Sequence, residues 1–267
     1  MSLLLTLLGV LVAFALWLML REEAMIYYPS REIQETPAHR GWKFDETWLT
    51  ATDGARLNGW FVPSEKESRL TVLFLHGNAG NISYRLDKLA ILRDLGANVF
   101  IIDYRGYGRS EGKPNEPGTY LDAQAAYEHL TKRLSLEPGG IVVYGESLGS
   151  AVAVDLASRT SVGGVIIEEA FTSIADVGQR MYPFLPVRWL VRNKYDSLSM
   201  IGRINAPLLI FHSRDDEYFS MRHAERLLAA AREPKQLVVL RGGHNDAFLV
   251  SEQIYRDALK QFFAGRV

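Results

Sequence analysis

The sequence predicts an α/β protein, a mostly parallel central sheet of about eight strands with helices on both faces. Three observations predict it. Near-continuous Val/Ile/Leu/Phe runs recur at 70–77, 98–106, 140–147, 163–171, 207–213 and 235–243. Amphipathic patterns separate most of them, at 84–95, 119–134, 147–159 and 221–232, and a last one follows at 252–263. Ahead of these, two β-rich runs in "WKFDETWLTATDGARLNGWFVP" join at Asp53-Gly54, a hairpin signal. Buried strands alternating with helices imply a parallel sheet covered on both faces, and the hairpin adds an antiparallel entry.

The elements before the hairpin are of another kind. Residues 3–20, "LLLTLLGVLVAFALWLML", carry no charge over 18 positions. At about 1.5 Å per residue they reach roughly 27 Å, close to a hydrocarbon core. No Lys or Arg precedes the run and no A-x-A-like site follows it, which favours a transmembrane anchor over a cleaved signal peptide. Trp17 and Arg21 suit its interfacial end. Residues 1–21 are expected to be the anchor, 22–41 a polar connector, and 42–267 one catalytic domain. A single N-terminal pass is expected, in the inner membrane if the source is bacterial. Arg31, Arg40 and Lys43 tilt the body only weakly toward the cytoplasm.

Composition narrows the classes of partner. The 267 residues are 48% hydrophobic and 23% charged, as in a globular core. Lys+Arg 30 against Asp+Glu 31 gives a net charge of −1, with no broad basic field for nucleic acid. Cysteine is absent, which removes disulfides, thiolate metal sites and a cysteine nucleophile together. No G-x-x-x-x-G-K-[ST] phosphate loop occurs.

In an open α/β sheet, ligands bind beyond the carboxyl ends of the strands. There "VVYGESLGSAV" places Ser147 between Gly145 and Gly149, after a strand and before a helix. A sharp turn at this corner forces the serine into an unfavourable backbone conformation and leaves no room for flanking side chains. The hydroxyl is pushed out over the sheet, beside the main-chain N–H groups of a helix start. A serine helix cap would not need both glycines.

A serine needs a base, and six histidines are available. His39 lies in the connector, His129 and His223 read as solvated helix-surface side chains, and His212 runs directly into acidic residues. His244, in "LRGGHNDAF", follows the last strand with two glycines ahead of it and a helix behind, and it is the candidate base. A carboxylate must then orient the imidazole. "FHSRDDEYFS" offers Asp215, Asp216 and Glu217, while Asp103 precedes the serine and reads as a structural acid binding nearby main-chain N–H groups.

"FLHGNAGN" (74–81), "DYRGYGRSEG" (103–112), "GESLGS" (145–150), "APLLIFHSRDDEYFS" (206–220) and "GGHND" (242–246) occur in this order. With them the body from about residue 42 resembles an α/β-hydrolase. It is most similar to the membrane-anchored serine hydrolases that include acylglycerol lipases and depalmitoylase-like enzymes. The resemblance implies the α/β-hydrolase fold, a Ser-His-Asp triad and no metal or organic cofactor. Aligning Ser213 with the family's glycine three residues before its acid selects Asp216, although Ser213 and "YFS" depart from that pattern. By similarity, the main-chain N–H groups of Asn78 and Leu148 form the oxyanion hole.

Residues 172–206 form a connection too short for a large lid. Within it Phe184, Leu185, Val187, Trp189, Leu190 and Val191 alternate with Arg188, Arg192 and Lys194. Such a segment suits either the headgroup region of a membrane or an ordinary cover over the pocket mouth. Phe184, Leu185, Trp189 and Leu190 are its candidate substrate contacts. The expected activity is hydrolysis of carboxylic esters, lipid esters and thioesters included, through an acyl-enzyme. The alternatives are a peptidase or amidase on the same triad, or a non-catalytic binding protein. The expected partners are an acyl-ester or lipid substrate and the membrane, with a homodimer through the anchor left open.

Overall fold

A computed structural model describes residues 2–265. Its central sheet contains β1 (Asp45–Thr50), β2 (Arg56–Val62), β3 (Thr71–Leu75), β4 (Asn98–Ile102), β5 (Ile141–Glu146), β6 (Gly164–Glu168), β7 (Leu208–Ser213) and β8 (Lys235–Leu240). The spatial order is β8-β7-β6-β5-β3-β4-β2-β1. The sheet is mixed. The β1–β2 hairpin and the β2–β4 pair are antiparallel, and every other pair is parallel. The hairpin turns at Gly54, whose φ of +90° is open to glycine.

Alternation within the strands divides the core. Leu73, Phe100, Val143 and Val165 pack on one face with α3 (Glu116–Glu128) and α4 (Leu148–Arg159). Val72, Val99, Val142 and Ile166 pack on the other with α2 (Leu86–Asp94) and the C-terminal helix, Glu252–Phe263. Every residue of β3, β6 and β7 is buried, whereas the edge strands β1 and β8 expose alternate positions. This is the pattern of a parallel sheet covered on both sides.

The segments outside the sheet differ more from expectation. Helix α1 runs Ser2–Ile26, five residues past the predicted end of the anchor. Among the described residues it contains the single helix, Leu5–Ile26, that is long and apolar enough to cross a membrane. The segment 22–41 is no free connector. Tyr28–Pro29 forms a short parallel ladder with Ala79–Gly80, and Arg31 Nη1 donates to Gly108 O at 3.3 Å. Extended backbone beside an open strand edge satisfies its main-chain groups there, which composition could not indicate. The predicted helix at 119–134 starts earlier, at Glu116, where Asn115 Oδ1 accepts Gly118 N–H at 2.8 Å. It passes into a π-turn at His129–Arg133. There the His129 ring stacks on Phe100 at 5.3 Å instead of standing in solvent.

The insert 172–206 holds α5 (Ile174–Met181) and two single turns, α6 (Val187–Leu190) and α7 (Ser197–Met200). Helix α8 (Met221–Ala230), the turn α9 (Ala247–Val250) and α10 (Glu252–Phe263) complete the chain.

Under the carboxyl ends of β5 and β6, one cation ties the layers together. Lys88 of α2 is buried, with Nζ at 3.0 Å from Glu146 Oε2 and 2.9 Å from Glu168 Oε1. Burial disfavours its charge, but the two carboxylates outweigh that and raise its pKa. Burial also acts against the Glu146 carboxylate, yet Arg85 and Lys88 bring it down to about 2. Lys88→Met leaves the buried Glu168 without its cation and Glu146 with Arg85 alone, and is expected to cost about 3–5 kcal/mol. A lowered urea midpoint by circular dichroism reads this, and an unchanged midpoint contradicts the ion-pair account.

Candidate active site

Ser147 sits where β5 turns into α4 with φ 51° and ψ −114°. A non-glycine residue held there costs on the order of 1–3 kcal/mol, so surrounding bonds must hold it. Ser147 N–H donates to Glu168 O at 2.8 Å, and Ser150 Oγ bonds both Gly145 O and Glu168 O at 2.9 Å. The chain approaches itself closely here. A Cβ on Gly145 would lie 2.2 Å from Gly149 O, and one on Gly149 would lie 2.0 Å from Leu75 O. Both glycines are therefore steric necessities.

His244 follows β8, beyond Gly242 at φ +112°. Its Nε2 lies 2.9 Å from Ser147 Oγ and its Nδ1 2.8 Å from Asp216 Oδ2. The ionised acceptor at Nδ1 places the ring proton there and leaves Nε2 free to accept from the serine. The rings of Tyr218 and Phe219 stand edge-on to His244 at 5.0 and 5.2 Å. Asp216 Oδ1 accepts the N–H groups of Tyr218 at 2.7 Å and Phe219 at 2.9 Å. Of the adjacent acids, Asp215 turns outward to Arg241 at 3.3 Å, so geometry separates what the bare residues left open. Ser213, in the place of a family glycine, donates from Oγ to Gly242 O and so fastens β7 to the loop that carries His244.

Burial acts to raise the Asp216 pKa, but hydrogen bonds from His244 and Glu169 hold it down to about 2. Glu169 went unrecognised in the sequence, because "IIEEAF" gives no sign that it differs from Glu168. It sits after β6 at φ 46°. Its Oε1 accepts Ser213 N–H at 2.8 Å. Burial first, then its hydrogen bond with Asp216, pushes its pKa up to about 10. At neutral pH Glu169 is therefore a buried neutral acid beside the Asp216 carboxylate, with Oε2 3.5 Å from His212 Nδ1. Ligating atoms of Glu169, His212 and Asp216 lie within 4.8 Å of one another, and among the described residues these are the ones that could hold a metal ion. His212 Nε2 instead bonds Phe219 O at 2.8 Å, and Asp216 is engaged by His244 and two main-chain N–H groups.

Asn78 and Leu148 both lie against the cavity beside Ser147. Asn78 is clamped, since its carbonyl accepts Tyr28 N–H at 2.9 Å and Tyr107 OH at 2.8 Å. Its Nδ2 donates to Ile26 O at 2.7 Å, so the end of α1 takes part in positioning this turn. Asp103 Oδ1 accepts Ile82 N–H at 3.0 Å, a structural role. His223 corrects its expectation: it is buried, with Nδ1 accepting Thr172 N–H at 3.2 Å.

The insert's candidates divide. Leu190 lines the cavity, while Leu185 is buried outside it. Phe184 and Trp189 are 63% and 88% exposed, and neither lines it. Val187, Leu190 and Val191 share the inner face of a single helical turn, and Trp189, two residues on from Val187, must face outward.

Two cavities meet at Ser147. One of about 290 Å³ is mostly apolar and runs between α1 and the insert. The other, of about 610 Å³, opens past His244, Glu217 and Arg180. Leu18, Met19, Met25 and Ile26 of α1 line the apolar cavity. The uniformly apolar run 3–20 carried no signal that Leu18 and Met19 face a site, and Met25 and Ile26 lie in the segment expected to be a connector.

The chain is similar to known proteins over most of its length. The pattern described as "Alpha/beta hydrolase family" matches residues 72–198. An uncharacterized protein of Mycobacterium tuberculosis is 38% identical over 249 residues, covering 91% of this chain and 87% of that protein. The Alpha/beta hydrolase domain-containing protein WAV2 of Arabidopsis thaliana is 35% identical over 280 residues, covering 95% and 91%. Among solved structures, the Pyrococcus furiosus esterase Pf2001 superposes with a TM-score of 0.75 at 21% identity, covering 88% of this chain and 98% of that one.

Two outcomes are expected from this geometry. Gly149→Ala should lower stability by about 2–4 kcal/mol through steric conflict in the core, read as a shift in urea midpoint. The second concerns the proton on Glu169, which the folded protein keeps to about pH 10. The unfolded chain releases it in the ordinary glutamate range, so stability at this group falls as pH rises between the two. Glu169→Gln keeps a donor and an acceptor without a proton to lose. Its advantage over the wild type should grow from pH 6 to pH 9 in urea titrations, by up to about 1.4 kcal/mol per pH unit. A constant difference would contradict the retained proton.

Proposed function

This chain belongs to the α/β-hydrolase family, and from that premise we propose that it is a serine hydrolase cleaving carboxylic esters through an acyl-enzyme. The observation that carries the reading is the unbroken chain from Ser147 Oγ through His244 to Asp216, at 2.9 and 2.8 Å. In it Ser147 Oγ attacks the ester carbonyl while His244 Nε2 takes the hydroxyl proton. Collapse of the tetrahedral intermediate expels the alcohol, which receives that proton from His244. Water, deprotonated by the same nitrogen, then attacks the acyl-serine and frees the acid. Asp216, kept ionised, stabilises the imidazolium in both halves. The main-chain N–H groups of Asn78 and Leu148 hold the oxyanion, each worth about 3–4 kcal/mol of transition-state stabilisation.

The structural likeness to an esterase supports ester over amide. The exposed apolar run of α1 supports a single-pass anchor, which would bring lipid esters or thioesters within reach. The test uses the purified full-length protein in detergent. Hydrolysis of p-nitrophenyl butyrate and fluorophosphonate labelling of Ser147 are expected, with Ser147→Ala losing on the order of 10⁵–10⁶ in kcat. Labelling and turnover that survive this substitution would remove the nucleophile. For the anchor, the chain should sediment with membranes after a carbonate wash, and a soluble chain overturns that part.

A further inference from the structure

The structure assigns the apolar cavity beside Ser147 to the acyl chain of the ester, and assigns one wall of it to α1. This rests on the reading of Ser147 as nucleophile. Leu18, Met25 and Ile26 recur at helical spacing and form one stripe of α1, with Met19 beside it. The facing wall is Val177 and Met181 of α5, with Leu190 and Val191 beside them. The cavity ends at Ser147, where an acyl group would be attached.

Glu22 lies within the same stripe and makes the docking specific. It is 9% exposed. Its carboxylate accepts Arg192 N–H at 3.0 Å, Asn193 N–H at 2.7 Å and Asn193 Nδ2 at 3.1 Å. Three donors from the insert thus satisfy it, and Asn193 Oδ1 in turn accepts Tyr27 OH at 3.1 Å and Glu116 N–H at 2.9 Å. A helix serving only as a tether would need no such latch on the insert. The other side of α1 is free, with Leu16 and Leu20 exposed at 54% and 80%. One face of the helix therefore meets solvent or lipid, and the other closes the site.

The occupant is an acyl chain because the lining offers little polar surface and Glu22 is already saturated by the insert. An apolar cavity of about 150 Å³ admits the six carbons of benzene, so the 290 Å³ have room for a chain of roughly eight to twelve carbons. The substrate class is accordingly a medium-chain acyl ester whose chain lies along α1.

The experiment compares kcat/KM for p-nitrophenyl acetate and p-nitrophenyl octanoate, at one detergent concentration, for the full chain and two α1 variants. Burial of each methylene is expected to raise kcat/KM about two- to fourfold in the wild type until the cavity is filled. Met19→Trp fills the cavity and should cut the octanoate-to-acetate ratio at least tenfold. Leu20→Trp, on the free face of the same helix, should keep the wild-type ratio. Equal ratios in both variants, or a wild type that favours acetate, overturn the assignment while leaving the esterase reading intact. If neither ester is turned over and fluorophosphonate leaves Ser147 unlabelled, the esterase reading fails and takes this assignment with it. Should Met19→Trp not fold, Glu22→Ala serves, since releasing the latch should lower the same ratio.

Discussion

The site depends on a close approach of backbone to backbone at the end of β5. With Gly149 against Leu75 O and Gly145 against Gly149 O, no side chain fits between α4 and the strands β3 and β5. That packing allows Ser147 to remain in a conformation an isolated peptide would leave. The strain persists because Glu168 O and Ser150 Oγ fix the turn from the neighbouring strand and helix. The direction of the hydroxyl, the position of the Leu148 N–H and the mouth of the cavity all follow from it.

A second constraint is electrostatic. In the proposed triad the acid must be ionised to orient and stabilise the histidine, yet the fold places it where burial opposes charge. Two main-chain N–H groups and His244 together keep the Asp216 carboxylate charged. Glu169 stays neutral for the complementary reason: two carboxylates sharing a dry site cannot both ionise cheaply. Beneath the elbow the same conflict between Glu146 and Glu168 is resolved by a cation, Lys88. The chain thus meets like charge in its interior in two ways, with a retained proton at one place and a buried ammonium at the other.

The N-terminal segment joins the two ends of the molecule's chemistry. Helix α1 is apolar enough to cross a membrane, but its last turns are part of the body. Glu22 holds the insert, Ile26 O holds Asn78 Nδ2, and Tyr28 N–H holds Asn78 O. The turn carrying one candidate oxyanion donor and the wall of the apolar cavity therefore have a common support.

Read alone, the sequence determined what depends on local pattern. The strands emerge from continuous apolar runs, the elbow from Gly145 and Gly149 around Ser147, and His244 from its glycines after the last strand. These are short-range rules of sterics and periodicity, so they are legible without a partner in space. Only the tertiary structure decided what depends on convergence. Asp216, which the sequence singled out only through the family resemblance, is the acid that meets His244, while Asp215 meets Arg241. Glu169 comes to lie beside Asp216 and His212 because β6 ends beside β7, and nothing in "IIEEAF" encodes those neighbours. The inner face of α1 and the outward turn of Trp189 were likewise invisible, since an apolar residue declares that it avoids water and not which surface it will meet.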